Sequence, residues 1–243
     1  MSNLACLTEL SGLTKSLDRF FSDNRQATDI LADWMRMQFH PVQVYALVSQ
    51  IIKNPTLLAE VSARSYLHGN GFLKVVLLDR GYKLRLHVWF AGQACEENIH
   101  DHRWSFASTI LAGTLTSEIW QDSCAADVHA LSLQEYCYHA AQDGQPASKT
   151  AVGTCAIRRT DLVEQAVGQA YVMPEQRLHR IINHGDQLVA TMVCTAPTGQ
   201  GTTRLIPICD QIEPDIQPPR LSPLQLKAAL SQFLSLYLLE NQA

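Results

Sequence analysis

The sequence predicts a mainly β barrel or sandwich with helices at both ends. Three observations carry that expectation. Residues 1 to about 66 repeat apolar side chains at the helical spacing of three and four. From Phe72 to Cys194, short strand-like runs alternate with turns, the pattern of an all-β sandwich or barrel. After Pro214, Pro218 and Pro219, a last amphipathic stretch opens at Ser222. A chain of 243 residues, 47% hydrophobic and 17% charged, fits one large domain with helical extensions better than two independent ones.

In the first segment, Leu4, Leu7, Leu10, Leu13, Leu17, Phe20 and Phe21 mark a helix over 4–22. A second runs from Thr28 to Phe39, where Pro41 forces a break. A third covers 42–53, and a fourth starts with Asn54 as cap and Pro55 at its first position. The pattern changes at His68-Gly69-Asn70-Gly71, which fits a turn. Strands are then expected at 72–78, 83–90, 105–111, 115–121, 128–138, 154–158, 170–173 and 187–194, with an exposed loop at 141–150. Ser222, Pro223 and Gln225 supply the cap, first-position proline and capping-box residue of the closing helix. Its stripe of Leu226, Leu230, Phe233, Leu234 and Tyr237 suits core packing or a homodimer contact. The expected division is therefore a helical segment at 1–66, a barrel at 67–212, and a connector with a helix at 213–243.

Composition excludes several function classes. A net charge of -4 without a like-charge run gives no electrostatic footprint for nucleic acid. The longest apolar stretches, such as 234–239, fall far short of the roughly 20 residues of a membrane span. The N-terminus has no basic region followed by an apolar one, so a cytoplasmic protein is expected. Seven cysteines without a Cys-x-x-Cys pair signal neither a zinc ribbon nor a redox dithiol and read as reduced thiols.

Chemistry concentrates in two histidine clusters. His100 and His102 sit two apart, and on a strand they project to one face, as neighbouring metal ligands must. Gly113 follows eleven residues after His102. About seventy residues after His100 comes Gly168, then Pro174, His179 and Asn183.

These positions resemble the cupin superfamily, whose two motifs are Gly-x5-His-x-His-x3/4-Glu-x6-Gly and Gly-x5-Pro-x-Gly-x2-His-x3-Asn. The second is met at Gly168, Pro174, His179 and Asn183, with Gln176 in place of a glycine. The first is met at His100, His102 and Gly113, with Ala94 for the leading glycine and Phe106 for the glutamate. The resemblance implies a double-stranded β-helix, or jelly roll, with a metal on His100, His102 and His179. Three imidazoles on one face leave positions open for substrate, as catalytic sites do. Imidazole alone does not choose among Fe(II), Zn, Ni, Mn and Cu.

Within that superfamily, residues 72–197 resemble the cysteine dioxygenase type of thiol dioxygenase, which also lacks the glutamate. The shared features are Ile99-His100-Asp101-His102, Leu-x-Gly-x-Leu at 111–115, Gln169-x-Tyr171, and the run Leu178-His179-Arg180 with Asn183. The resemblance implies ferrous iron, dioxygen as co-substrate, and Lys74 as the cation for a substrate carboxylate, a point charge without arginine's fork. The family's Ser-x-His-x-Tyr strand is replaced by Thr191-Met192-Val193-Cys194-Thr195. That departure withdraws cysteine as the expected substrate, and a small carboxylate- or thiol-bearing molecule remains.

Strand parity supplies a pocket lining. Arg85, His87 and Trp89 share one face, and if that face looks inward His87 and Trp89 contact substrate, with His87 a hydrogen-bond donor behind the ligands. Trp104 and Phe106 carry the parity of the ligands and narrow the pocket. Arg103 and Arg180 carry the opposite parity and are expected in ion pairs on the barrel wall. The direction of Tyr171 stays open. No acid–base dyad or nucleophile elbow is evident, so no catalytic side chain is named and the mechanism rests on the metal. The alternatives are an oxygen-independent metal-dependent isomerase or lyase, and a non-catalytic ligand-binding cupin.

Overall fold

The computed structural model describes residues 9–124, 126–139, 148–197, 202–208 and 218–240. Four helices come first: α1 (Leu10–Asp23), α2 (Asp29–Gln38), α3 (Pro41–Lys53) and α4 (Pro55–Ser62). Their ends follow the cap residues. Thr28 Oγ1 accepts from the Leu31 N–H, and Asn54 Oδ1 accepts from the Leu57 N–H. Pro41 and Pro55 each occupy the first turn, where no N–H is needed. The part of the expected first helix at 4–8 lies outside the described residues.

Thirteen strands follow among the described residues: β1 (Tyr66–Leu67), β2 (Leu73–Asp79), β3 (Lys83–Trp89), β4 (Cys95–Glu96), β5 (Ile99–His100), β6 (Phe106–Ala112), β7 (Thr114–Asp122), β8 (Leu131–His139), β9 (Ser148–Ala166), β10 (Ala170–Met173), β11 (His179–Asn183), β12 (Val189–Thr195) and β13 (Thr203–Ile206). One antiparallel sheet runs β1-β2-β3-β12-β6-β10; the other runs β4-β11-β5-β13-β8-β9-β7, with β11 also pairing β7. From β5 to β7, and again from β9 to β13, successive strands cross between the two sheets. That alternation winds the chain into a cupin-type double-stranded β-helix.

Two expected boundaries change. Residues 148–150, read as loop, begin the 19-residue β9, while 140–147 lie outside the described residues. His179–Asn183, which carries the second motif, is itself a strand.

The faces of the first sheet are sorted by chemistry. Val75, Leu77, Leu84, Leu86 and Val88 point outward into one large core with the helices, where Leu13, Leu17, Leu31, Met35, Leu47 and Ile51 are all buried. The closing helix α5 (Pro223–Glu240) joins the same core through Leu226, Leu230, Phe233, Leu234 and Tyr237. Its reciprocal capping box is formed: Ser222 N–H donates to Gln225 Oε1 at 2.8 Å, and Gln225 N–H donates to Ser222 Oγ at 3.2 Å. The opposite face turns toward the second sheet, where Trp89, Ile110 and Val189 meet Leu115 and Ile181. Gly113, in the turn between β6 and β7, has φ +65°, and a Cβ there would lie 2.2 Å from the Leu188 carbonyl oxygen. The motif glycine is required by both backbone and space.

Candidate metal centre

His100 closes β5 and His179 opens β11, and the two are directly paired across the second sheet. His102 does not continue that strand, as the sequence reading supposed. Residues 101–105 form the crossing to β6 in the other sheet, so parity does not run from His100 to Phe106. The crossing is pinned instead. Asp101, 2% exposed, accepts from the Arg204 N–H at 2.7 Å, and its own N–H donates to the Arg204 carbonyl. Gln176 N–H donates to the His102 carbonyl at 3.1 Å.

These constraints bring the three imidazoles together. Ring centroids are 4.9 Å apart for His100–His102, 4.7 Å for His100–His179 and 5.2 Å for His102–His179. One nitrogen from each lies within 4.8 Å of the others. His100 Nδ1 is 2.8 Å from the Asn98 carbonyl and His179 Nδ1 is 3.0 Å from the Arg177 carbonyl. A carbonyl accepts only, so each Nδ1 carries the proton and each Nε2 keeps its lone pair. Burial, and then the neighbouring His100, lower the His179 pKa to about 3. The same causes hold His102 well below the ordinary imidazole range. A ring whose Nδ1 is tied to a carbonyl, as in His100 and His179, presents Nε2 to a transition metal, so the donor set fits such an ion.

The other expected site residues lie around this group. Trp104 stacks on His102 at 5.5 Å with 22° between planes, and the Phe106 ring is 5.4 Å from His102 and 6.2 Å from His179. Both reach the site although Phe106 belongs to the opposite sheet. The Arg85 face of β3 looks inward, since Leu84, Leu86 and Val88 face the helices. Trp89 stacks on Phe72 at 4.7 Å. His87 contacts Phe72 and Trp89, and its Nε2 has no hydrogen-bond partner, so the donor role behind the ligands is not formed. Lys74 sits beside His87 on β2, with Nζ 5.7 Å from the Tyr66 ring centre. Burial, then the Arg85 charge, lower its pKa to about 7, with Glu97 opposing.

Arg180 forms its expected ion pair, to Glu118 at 2.5 Å. Among the described residues Arg103 forms no ion pair: its guanidinium lies 5.8 Å from the Trp104 ring centre and its Nε has no partner.

Four residues near the site escaped the sequence reading or were left open by it. Tyr171 pairs with Ser108 on β6 and points inward, 6.1 Å from Phe106. Burial raises its pKa to about 12. His68 stacks on Phe72 at 4.6 Å, and burial followed by the Lys74 charge lowers its pKa to about 3. Glu97, 8% exposed, precedes the first histidine strand and accepts weakly from the Ile181 N–H. Ser108 shares the parity of Phe106, a signal that was present in the sequence.

No family model and no curated protein matches the chain. Solved structures do. An RmlC-like cupin from Shewanella frigidimarina is 12% identical over 55% of this chain and 83% of its own, with TM-score 0.34. A conserved double-stranded β-helix protein from Klebsiella pneumoniae is 12% identical over 61% and 95%, with TM-score 0.33. A cupin superfamily protein from Desulfitobacterium hafniense is 9% identical over 56% and 86%, with TM-score 0.31. The strand order itself defines a double-stranded β-helix barrel, and it holds a three-histidine group that could bind a metal. Among the described residues no helix is long and apolar enough to cross a membrane.

Proposed function

We propose that the protein is a mononuclear non-haem Fe(II)-dependent dioxygenase acting on a small carboxylate- or thiol-bearing molecule. The observation that carries the reading is the group of His100, His102 and His179, three neutral nitrogen donors with Phe106 where a fourth, anionic ligand would stand. Ferrous iron held there would supply the redox chemistry for joining dioxygen to a substrate bound beside it. The chain itself does the rest. The Asn98 and Arg177 carbonyls fix the His100 and His179 rings through Nδ1. Trp104 and Phe106 keep bulk water from the open side of the histidines. Lys74 offers positive charge to an acidic substrate.

The strand with Thr191, Val193 and Thr195 supports leaving cysteine aside, because Val193 packs in an apolar cluster with Phe106 and Met173. In this reading 67–212 is the catalytic barrel, and the helices of the segments 1–66 and 213–243 back its first sheet. The partners are a small molecule and dioxygen, without nucleic acid or membrane, in a cytoplasmic protein able to form a homodimer.

The test is oxygen uptake by protein reconstituted anaerobically with Fe(II) or Zn(II), against small thiols, amino acids and diketones. Uptake with iron and at least one substrate, lost in His179→Ala, is the expected result. Turnover without oxygen in the zinc form would point to the isomerase or lyase alternative and refute the dioxygenase.

A further inference from the structure

The barrel has a mouth at the turn between β2 and β3. A pocket of about 210 Å³ lies there, lined by Asp79, Arg80, Lys83, Arg85, Trp104 and Thr195 among others, and none of the three histidines lines it. The Arg80, Lys83 and Asp79 side chains keep a third to a half of their surface in solvent, so the pocket communicates with bulk water.

The first helices tie this mouth down. Asp18 on α1 holds the Arg80 Nε at 3.0 Å and accepts from the Tyr82 hydroxyl at 2.8 Å, which fixes the tip of the β2–β3 turn. The Ala27 N–H, between α1 and α2, donates to Ser105 Oγ at 2.8 Å, and the Ala196 N–H donates to the Ser105 carbonyl at 2.9 Å. Between the two sheet strands at the rim, the Lys83 N–H donates to Thr195 Oγ1 at 3.1 Å.

Trp104 is held differently. Its ring stacks on His102 with centres 5.5 Å apart, and the Arg85 and Arg103 guanidinium groups each lie 5.8 Å from its ring centre. A buried indole ordinarily finds an acceptor for its N–H. Trp120 does so at Glu118, 3.2 Å away, whereas Trp104 makes no side-chain hydrogen bond among the described residues. The crossing is pinned at Asp101, His102 and Ser105, on either side of the indole. The backbone is therefore fixed, while the ring is kept in place by stacking, cation and apolar contacts alone. One face of the matter is the pocket, the other is a metal-binding ring, and the indole stands between them.

We propose that Trp104 is the gate between this mouth and the three histidines, and so the residue that sets how large a molecule reaches them. With the indole on His102 the pocket ends at the ring. With the indole turned aside, the pocket becomes continuous with the open side of the histidines. A molecule that waits in a space of about 210 Å³ and passes one displaced indole is small, which gives the substrate both a size limit and a way in. The gate rests on the proposed use of the three histidines as the reacting centre, but passage through it is measurable without metal or turnover.

The experiment times histidine acylation in the metal-free full chain by diethyl pyrocarbonate and by the bulkier di-tert-butyl dicarbonate, read by peptide mass spectrometry. His129 and His139 are exposed and serve as the internal standard. In the wild type, labelling of His100, His102 and His179 should lag behind the standard, and further behind with the bulkier reagent. Trp104→Ala should speed labelling of the three by about tenfold, the effect of one lost ring contact, and bring the two reagents closer together. Trp104→Phe keeps a smaller ring and should give a smaller rise in the same direction. Far-UV circular dichroism confirms that each variant is folded. Labelling of the three as fast as the standard in the wild type, or unchanged in the folded variants, would overturn the proposal. Protection of the three histidines by added Fe(II) or Zn(II) tests the metal reading on its own. No protection would refute that reading and leave the gate standing.

Discussion

The N–H of Gln176 donates to the carbonyl of His102 at 3.1 Å, tying the two histidine motifs together through the backbone. Gln176 does this with φ +61°, and among the described residues it is the one non-glycine with positive φ. The position where the resembled family prefers glycine has therefore kept the glycine conformation without the glycine. Left-handed backbone costs a side-chain-bearing residue roughly 1–2 kcal/mol, against roughly 0.5–1 kcal/mol for the greater entropy of glycine. Gln176→Gly should leave stability unchanged or raise it by about 1 kcal/mol in urea denaturation, with metal content unaltered.

Phe106, where the resembled motif has a glutamate, lies against His102 and His179. Phe106→Glu should destabilise the metal-free protein, because the new carboxyl is buried among Met173, Val193 and the rings. Added metal should restore more stability than it does in the wild type, since the carboxylate supplies a fourth ligand. Midpoint temperatures with and without metal measure the difference. An equal metal-induced rise in both proteins would mean that residue 106 does not face the ion.

Glu118, 2% exposed, takes the Arg159 guanidinium, the Arg180 Nε and the Trp120 Nε1, and Arg180 directly follows His179. Burial opposes ionisation, yet hydrogen bonds from Arg180 and Arg159 hold the carboxyl below its usual range. Glu118→Ala should cost about 1.5–3 kcal/mol, the loss of hydrogen bonds to a charged group, because Arg180 keeps Glu96 as a partner and Arg159 is half exposed. Metal affinity should fall with it, because β7 and β11 are paired at this position. Denaturation with and without metal separates the two effects.

Acid sensitivity follows from His68. Burial, and then the charges of Lys74, His100 and Arg85, lower its pKa in the folded chain to about 3 instead of 6.5. Below pH 6.5 the unfolded chain takes up a proton that the native one refuses. Stability therefore falls as pH drops from 6.5 toward 3, by about 1.4 kcal/mol per pH unit for each such group. His87, lowered by burial and then by Lys74 and Arg85, has the same sign. Metal-free His68→Phe should show a shallower loss of stability than the wild type across that window.

What could be read in advance follows from patterning. The helices were legible because caps and apolar periods agree, as at Thr28, Asn54 and Ser222. The long β9 was mostly missed because it is exposed along nearly its whole length, so no alternation marks it. β11 was missed for a different reason. Its buried positions do alternate, but two of them are His179 and Asn183, whose polarity hides the pattern. The three histidines were legible as a motif, while the nearness of Arg85 to Lys74 was not. Arg85 and Lys74 become neighbours only through the register of β2 and β3, with a bulge between Val76 and Leu78.

One metal ion on His100, His102 and His179, iron in the active protein, is what the proposed function requires. Elemental analysis of protein reconstituted anaerobically with Fe(II), in the wild type and in His100→Ala and His179→Ala, measures it. About one iron per chain in the wild type, with little retained by either variant, is the expected result. Iron bound equally by all three proteins, or by none of them while circular dichroism shows native folds, would contradict it.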